Sequence, residues 1–494
     1  MTAPTDTPTS TATTADAATS TSGTGRLVAL LVCSAFVVIL NETIMSVALP
    51  DLMREFAIGA SSAQWITTAF MLTMAVVIPI SGYLLTRLPL RTVFIVAMTA
   101  FSVGTAVSAV APVFGVLVLG RVIQASGTAV MMPLLITTVM TIVEPERRGR
   151  MMGTISIVIS VAPAIGPTIS GIILQSLSWR WMFLFVLPIA LVALAAGARW
   201  VRNVTEPRAI PLDVLSVVLS AIGFAGLVYG LAGFGEAAEG DPLVPLWVPL
   251  TVGGVSLALF VARQLVLKDR ALLDLRAFAS PSFSLAIGLM AVVFAALFGV
   301  IVLLPLYLQN ALELSVLQTG LMLLPGGLCL GLLAPFVGRA FDRWGPRSLV
   351  PPGIGLAAVA LWLMTTLDVD SSRLVVVAMH VVMSIGLALA FTPLMTTALA
   401  SVPPRLYSHG SAILGTLQQV AGAAGTALFV TLLTRQEVTS LAAGAPETVA
   451  TADGLHAALL VASVVATVAF ALSFAIRRAP EHATEPGEHA VPAH

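Results

Sequence analysis

Residues 37–50 read VVILNETIMSVALP and place an acid, Glu42, inside an apolar run that begins after Arg26. The run is long enough to cross a bilayer, which takes about 20 apolar residues. A charged side chain at the centre of a membrane helix costs at least about 2.5 kcal/mol, so an acid at such a depth indicates a functional site. No other apolar run carries a carboxylate so deep, and Glu42 is therefore the first candidate.

The composition of the chain is that of a membrane protein. Of its 494 residues, 58% are hydrophobic and 10% are charged, whereas the average soluble domain carries about 25% charged residues. Apolar runs recur along the chain, and only helices or closed barrels span lipid. The runs do not alternate as barrel strands do. The predicted fold class is therefore an all-α polytopic membrane protein, and the net charge of zero gives no reason to expect a nucleic-acid partner.

Charged residues divide the chain into fourteen predicted transmembrane helices. The predicted spans are residues 27–50, 62–85, 92–111, 113–140, 151–175, 179–200, 212–235, 244–266, 281–308, 316–337, 347–367, 374–400, 408–433 and 455–476. Lys and Arg concentrate in cytoplasmic loops, and most of the 24 basic residues fall there if the N-terminus is inside. Both termini are thus predicted to be cytoplasmic. The preference for Arg over Lys, together with abundant Ala, Val and Gly, indicates a bacterial source. The protein is therefore predicted to lie in the inner cell membrane.

An internal repeat organises these spans into two halves. Gly82–Arg91 aligns with Gly338–Arg347 and shares its Gly and two Arg positions, and two further matched segments keep the same order. We therefore predict two six-helix bundles, joined by a linker that carries two inserted helices and flanked by disordered cytoplasmic tails. The predicted boundaries are 1–25 for the first tail, 26–201 and 277–478 for the bundles, 202–276 for the linker and 479–494 for the second tail. Parallel repeats of this kind are one known transporter architecture, with the site between the halves.

The repeated segments resemble a motif of the major facilitator superfamily, specifically of its 14-span drug:proton antiporter branch. The family's loop motif reads Gly-x-Leu-x-Asp-Arg-x-Gly-Arg. The first copy here has Thr86 in place of the Asp, whereas the second copy keeps Asp342 and Arg343. The resemblance covers Leu27 to Arg478 and implies that this loop holds the bundles together. The gating residues so predicted are Gly82, Arg87, Arg91, Gly338, Asp342, Arg343 and Arg347, with Gly166, Pro167 and Gly171 from the fifth span.

Three further segments are similar to motifs of the same family. Leu119–Gly127 resembles the fourth-span motif, whose arginine, here Arg121, is implicated in proton coupling. Ala162–Gly171 resembles the fifth-span antiporter motif. In the first-span motif the family's usual Asp position is Asn41, and the carboxylate is Glu42. One residue along a helix rotates a side chain by about 100°.

Glu42 and Arg121 are the predicted proton-coupling residues. Burial penalises a charged carboxylate unless a cation is near, so Glu42 can take up a proton and release it when the site opens. The guanidinium of Arg121 does not lose its proton. Our hypothesis is that a proton on Glu42 competes with a cationic substrate, while Arg121 favours proton release. The alternatives are that Glu42 only hydrogen-bonds neighbouring helices and that Arg121 only ties backbone carbonyls.

Polar, aromatic and flexible side chains near these charges are predicted to line a substrate cavity. They are Asn41, Met45, Gln64, Trp65 and Gln124. Flexible Met side chains suit a promiscuous cavity but also serve ordinary packing. The same alternative holds for Gly166, Pro167 and Gly171, because small residues let membrane helices pack closely without any gating role.

These features together predict a proton-coupled antiporter that exports amphiphilic drugs or antibiotics, cationic ones among them, by alternating access and thereby confers antibiotic resistance. The single lysine lies in Leu267-Lys268-Asp269, so a phosphate-binding Gly-Lys-[Ser/Thr] loop is absent and ATP-driven transport is excluded. No enzyme activity, cofactor or metal is expected, and the predicted partners are a small-molecule substrate, protons and lipid, with the chain as a monomer. The alternative is a transporter of the same fold dedicated to one metabolite, as exporter or proton symporter.

Overall fold

The fold is all-helical. A computed structural model describes residues 14–58, 60–201, 203, 207–208, 211–236 and 244–477, and these residues include no β-strand. The α-helices in chain order are α1 (Thr14–Ile44), α2 (Leu49–Phe56), α3 (Ala60–Arg87), α4 (Leu90–Ala109), α5 (Phe114–Ile142), α6 (Arg148–Ser176), α7 (Arg180–Trp200), α8 (Val214–Glu236), α9 (Trp247–Leu267), α10 (Pro281–Leu306), α11 (Val316–Trp344), α12 (Val350–Met364), α13 (Arg373–Ala400), α14 (Tyr407–Ala442) and α15 (Glu447–Ser473).

The long helices follow the predicted spans. Within the described residues, 13 helices are long and apolar enough to cross a membrane, and α6 occupies the place of the predicted fifth span. The predicted boundary at Ala111-Pro112 lies in a break between α4 and α5. The protein is therefore a multi-pass membrane protein with the predicted all-α fold.

Some helix ends differ from the predicted spans. α11 continues seven residues past the predicted end at 337, so most of the second loop motif is helical. The first predicted span, 27–50, breaks after Ile44 into a 3₁₀ turn, Met45–Ala48, which places Glu42 in the last turn of α1. α1 begins at Thr14, inside the predicted first tail. Residues 1–13 and 478–494 lie outside the described residues.

Local sequence explains where α11 begins and ends. Its N-terminus carries a capping box, in which Ser315 accepts a hydrogen bond from the Gln318 amide while the Gln318 side chain accepts one from the Ser315 amide. Its C-terminus is followed by Gly345 at φ 76°, a left-handed conformation that side chains with a Cβ disfavour. The second loop motif therefore ends in a sharp turn directly after a rigid helix.

The helices pack as two halves with an insertion. In the first half α1 lies against α5, α6 and α7, and in the second half α14 lies against α10 and α15. The halves meet mainly along two junctions, α6 with α11 and α3 with α14. The inserted helices α8 and α9 pack on each other, and α8 also contacts both α3 and α14. This is the predicted architecture of two six-helix bundles with two added helices.

Small residues bring the halves into backbone contact at one end of the molecule. Both copies of the repeated motif, Gly82–Arg91 and Gly338–Arg347, lie at this end, which we call the motif end. A Cβ on Gly149 of α6 would lie 2.6 Å from the carbonyl oxygen of Gly338 on α11. A Cβ on Gly82 of α3 would lie 3.1 Å from the Cβ of Ala412 on α14. Glycine at these positions therefore lets the two halves close on each other.

Replacing Gly338 tests this contact. We expect Gly338→Ala to destabilise the protein by about 1–3 kcal/mol, because the new methyl group would meet the backbone of α6 at Gly149. The measurement is the thermal unfolding midpoint of the purified protein in detergent. Gly320→Ala is the matched control on the same helix, since a Cβ there meets nothing within 4 Å. Equal midpoints for the two variants would contradict the close approach of α6 and α11.

Candidate functional site

A buried polar network joins α1, α4 and α5. The guanidinium Nη1 of Arg121 donates to the side-chain oxygens of Asn41, at 3.2 Å, and of Gln124, at 2.6 Å. The Gln124 amide nitrogen in turn donates to the Thr105 hydroxyl at 2.7 Å. All four side chains are almost fully buried. Arg121 and Gln124 share a face of α5 because residues three apart on a helix are neighbours.

The positive charge of Arg121 is held by neutral groups. Its guanidinium carbon lies 4.1 Å from the ring centre of Phe70 on α3, within reach of a cation–π interaction. Its Nε has no hydrogen-bond partner among the described residues. Within the described part of the chain, the hydrogen bonds of the side chain go to amide oxygens of other side chains and not to backbone carbonyls.

Glu42 lies beside this network without joining it. Its side chain is partly exposed, and within the described part of the chain its carboxylate forms no hydrogen bond and no ion pair within 4.0 Å. Arg121 is nevertheless near enough for its charge to act on the carboxylate. Among the described residues, Glu42 makes none of the hydrogen bonds to neighbouring helices that the alternative invokes. A carboxylate in this state is free to take a proton or to contact a cation.

The residue after Glu42 fastens α1 to α6. The Thr43 hydroxyl donates to the carbonyl oxygens of Leu40, at 3.0 Å, and of Ala162, at 3.5 Å. Gly166 faces the same threonine, and a Cβ there would lie 2.9 Å from the Thr43 Cβ. Gly166 thus permits the close packing of two helices at the site. Pro167 and Gly171 are also in α6, but their side-chain surroundings lie outside the described residues.

The predicted cavity residues are not all brought together. Asn41 and Gln124 are partners of Arg121, and Met45 is buried with 1% of its surface exposed. Trp65 is 40% exposed and stacks on Tyr229 of α8, with ring centres 6.2 Å apart. It therefore faces the inserted helices. The side chain of Gln64 lies outside the described residues.

Asp342 caps a helix of the opposite half. Its carboxylate accepts hydrogen bonds from the backbone amides of Gly149, at 2.7 Å, and Arg150, at 2.9 Å. These amides belong to the first turn of α6, where the helix dipole favours an anion. The sequence contained one signal of this contact: α6 follows Arg147, which provides no side-chain cap of its own.

At the second junction, α3 and α14 are joined by a hydrogen bond between two neutral hydroxyls. The hydroxyls of Thr86 on α3 and Ser408 on α14 are 2.9 Å apart. Arg148, which sequence reasoning did not select, donates to the Tyr407 hydroxyl at 3.2 Å. It also donates to the carbonyl oxygens of Met140 and Val143 at the end of α5, and so ties the last turn of α5 to α14.

Hydrogen bonds between the halves are confined to the half of the bundle nearer the motif end. Besides those above, they join Thr137 to Ser411 and Ser156 to Thr392, each at 2.8 Å. Among the described residues no hydrogen bond crosses between the halves at the opposite end. The protein is therefore closed at the motif end.

The basic residues of the two motif copies lie around this closure. Arg87 donates to the Tyr83 hydroxyl at 3.0 Å, and the backbone amide of Arg91 donates to the side chain of Asn203 in the linker at 3.1 Å. Arg343 lies 5.7 Å from the ring centre of Trp344, and Arg347 is exposed. Among the described contacts of the predicted gating residues, those of Gly82, Gly338 and Asp342 reach the other half directly.

A separate cleft of about 340 Å³ lies at the opposite end, and no predicted site residue is among its lining residues. Glu55 of α2 accepts hydrogen bonds there from Trp179 and Arg180, near the start of α7. Burial alone would raise the pKa of the Glu55 carboxyl, but the hydrogen bonds from Arg180 and Trp179 outweigh it and lower the pKa below its usual range. These contacts fasten α2 to the first half.

Two helical halves closed at one end, with a buried cation in one of them, are the architecture of a membrane transporter. The chain belongs to the Major Facilitator Superfamily, whose family model matches residues 31–426. It is 40% identical over 450 residues to the lincomycin resistance protein LmrB of Listeria monocytogenes, an alignment that covers 91% of this chain and 93% of that protein.

Two other comparisons agree with the family. The multidrug resistance protein B homolog of Mycobacterium tuberculosis is 31% identical over 407 residues, covering 80% of this chain and 74% of that protein. The crystal structure of the human organic anion transporter MFSD10 superposes with a TM-score of 0.66 at 17% identity, over 91% of this chain and 99% of that one. At this identity the likeness supports the fold alone. The predicted family and fold class are confirmed.

The polar network can be tested through Gln124. We expect Gln124→Leu to lower stability by about 1–3 kcal/mol, because Arg121 loses its shorter hydrogen bond while remaining buried. Thermal unfolding in detergent measures this loss. Ser126→Ala on the same helix is the control, since the Ser126 hydroxyl bonds only to the Val122 carbonyl within α5. A Gln124→Leu protein as stable as the control would show that the network contributes nothing.

Proposed function

We propose that the protein is a proton-coupled antiporter that exports amphiphilic, cationic drugs or antibiotics by alternating access. The observation that carries this proposal is the Glu42 carboxylate, which has no hydrogen bond or ion pair among the described residues and lies beside the buried charge of Arg121. The names of the relatives, which refer to lincomycin resistance and multidrug resistance, support export of drugs.

The charge balance at the site gives a reason for exchange. Arg121 keeps its proton, so the pair carries no net charge when Glu42 is ionised and one positive charge when Glu42 is protonated. A cationic substrate is attracted to the ionised carboxylate and is repelled by the pair once a proton has bound. At an effective dielectric constant of about 20, unit charges about 4 Å apart interact by about 4 kcal/mol. An interaction of this size is enough for the proton on Glu42 and the cationic substrate to exclude each other.

Asn41 keeps this carboxylate available. It occupies the position at which the family usually has an acid, and its neutral amide oxygen accepts the hydrogen bond from Arg121. Nη1 of Arg121 therefore has two acceptors without an ion pair to Glu42 among the described residues. The acid one residue later remains free for the proton and the substrate.

We further propose that the protein lies in the bacterial inner membrane as a monomer with both termini in the cytoplasm, as the distribution of Lys and Arg predicts. The motif end is then the cytoplasmic end. Closure there corresponds to the state in which the site exchanges protons and substrate with the outside. Opening to the cytoplasm requires the hydrogen bonds between the halves at the motif end to break.

Glu42→Gln tests proton coupling. In proteoliposomes with an imposed pH gradient, we expect this variant to lose uphill transport of a cationic dye. A charge-assisted contact contributes about 1.5–3 kcal/mol, so the apparent affinity for the dye should fall about ten- to hundredfold. Glu144→Gln, which changes an exposed loop carboxylate, is the control and should transport as the parent does. Undiminished proton-driven transport by Glu42→Gln would refute the assignment.

A substrate panel separates broad drug export from the dedicated transporter of a single metabolite. We expect several structurally unrelated amphiphilic cations, including dyes and antibiotics, to be exchanged for protons by the parent protein. Exchange of a single compound, with the others excluded, would favour the dedicated transporter. Uptake down the proton gradient would reverse the assigned direction.

A further inference from the structure

The inserted helices α8 and α9 lie across one junction between the halves. α8 packs against α3 of the first half and against α14 of the second. These two helices form the junction at which Thr86 and Ser408 hydrogen-bond. The insertion therefore has a face on each half at the place where they must separate for the motif end to open.

An ion pair joins the start of α8 to the end of α9, which together we call the base of the insertion. The Asp213 carboxylate, just before α8, accepts hydrogen bonds from Nε and Nη2 of Arg263 near the end of α9, at 2.6 and 2.8 Å. The Ser216 hydroxyl also donates to it. The hydrogen bonds from Arg263 are the largest cause that lowers the pKa of Asp213 to about 2, so the carboxylate stays ionised at neutral pH. The two chain segments that connect the insertion to the halves are thereby held together.

A buried glutamine fixes the chain as it leaves the insertion. Gln264 is 2% exposed, and its amide nitrogen donates to the Ser216 hydroxyl at 2.7 Å. Its oxygen accepts hydrogen bonds from the backbone amides of Leu272, at 2.8 Å, and Leu273, at 3.2 Å. The segment that follows α9 is therefore pinned to the helix pair before it reaches the second half.

The two connecting segments contact the two sides of the same junction. On the entering side, the backbone amide of Arg208 donates to the carbonyl oxygen of Thr86 at 2.9 Å. On the leaving side, the backbone amide of Asp274 lies 3.4 Å from Nδ1 of His409, which accepts its hydrogen. His409 is the neighbour of Ser408 in the first turn of α14. The insertion thus brackets the Thr86–Ser408 contact from both halves.

At the bracketed junction, the first motif copy has a hydroxyl where the second copy has a carboxylate. At the α6–α11 junction, Asp342 binds two backbone amides of the other half. Thr86 occupies the corresponding position in the first motif copy and offers a single neutral hydrogen bond. We propose that the α8–α9 pair is a clasp that holds the α3–α14 junction closed in place of the missing carboxylate, with Asp213, Arg263 and Gln264 as its positioning residues.

The clasp acts because opening would break its contacts on one side. When α3 and α14 separate at the motif end, α8 can follow only one of them, and either the Arg208 or the Asp274 contact is lost. The insertion therefore stabilises the closed state relative to the open one. Loosening its base should shift the population toward the state that is open at the motif end.

Thiol labelling measures this shift without any substrate, so the test holds even if the drug assignment fails. Thr137, at the α5–α14 contact, is 4% exposed and hydrogen-bonds to Ser411. A Thr137→Cys thiol, in a chain whose Cys33 and Cys329 are replaced by Ala, reports opening through its reaction with a membrane-impermeant maleimide. The full-length protein in nanodiscs exposes both ends to the reagent.

We expect Gln264→Leu and Asp213→Arg each to increase the labelling rate by about threefold or more, the effect of losing a partly exposed ion pair or a comparable hydrogen bond. The exchanged pair Asp213→Arg with Arg263→Asp should restore the parent rate. Thr251→Val on α9 is the matched control, because the Thr251 hydroxyl bonds only to carbonyl oxygens of its own helix.

An unchanged or slower labelling rate in Gln264→Leu, with the parent's thermal midpoint retained, would overturn the clasp. The same holds for Asp213→Arg if that variant folds, and if it does not, Gln264→Leu alone decides. Failure of the exchanged pair to restore the rate, although it folds, would likewise remove Asp213 and Arg263 from the proposed role.

Discussion

A permanent positive charge buried among helices constrains the rest of this protein. Arg121 cannot release its proton, and burying an unpaired charge is costly unless hydrogen bonds satisfy it. Asn41, Gln124 and the Phe70 ring supply that stabilisation from three helices. Because those partners are neutral, the charge remains uncompensated at contact distance. The positive charge of Arg121 therefore acts on Glu42 because the hydrogen-bond partners of Arg121 are neutral.

The two junctions between the halves follow different chemistry although the repeat makes them equivalent. One joins a carboxylate to the amides at a helix start, and the other joins two hydroxyls. Charge-assisted hydrogen bonds are roughly twice as strong as neutral ones. The halves are thus tied more firmly along α6 and α11 than along α3 and α14. The inserted helices lie on the weaker side.

The sequence predicted the helices and the family well, because runs of apolar residues and their breaks are local properties of a chain. It also selected Asn41, Arg121 and Gln124, which the structure joins. It did not reveal Phe70 and Thr105 as partners, because nothing local distinguishes them from other residues of apolar helices. Arg148 was missed for the same reason: its contact with Tyr407 depends on how two distant segments are placed in space. Such contacts depend on the relative rotation and depth of the helices, which the hydrophobic periodicity of the sequence does not specify.

One helix contacts both the closure and the residue that follows the acid. α6 begins at the amides that Asp342 holds, and further along it lies against Thr43, beside Glu42. Gly149 and Gly166 are separated by about 25 Å at 1.5 Å per residue. If α6 moves as a rigid helix, a tilt at the motif end also displaces its residues near Thr43 and Glu42. The closure at the motif end and the surroundings of Thr43, next to Glu42, thus share a single helix, α6.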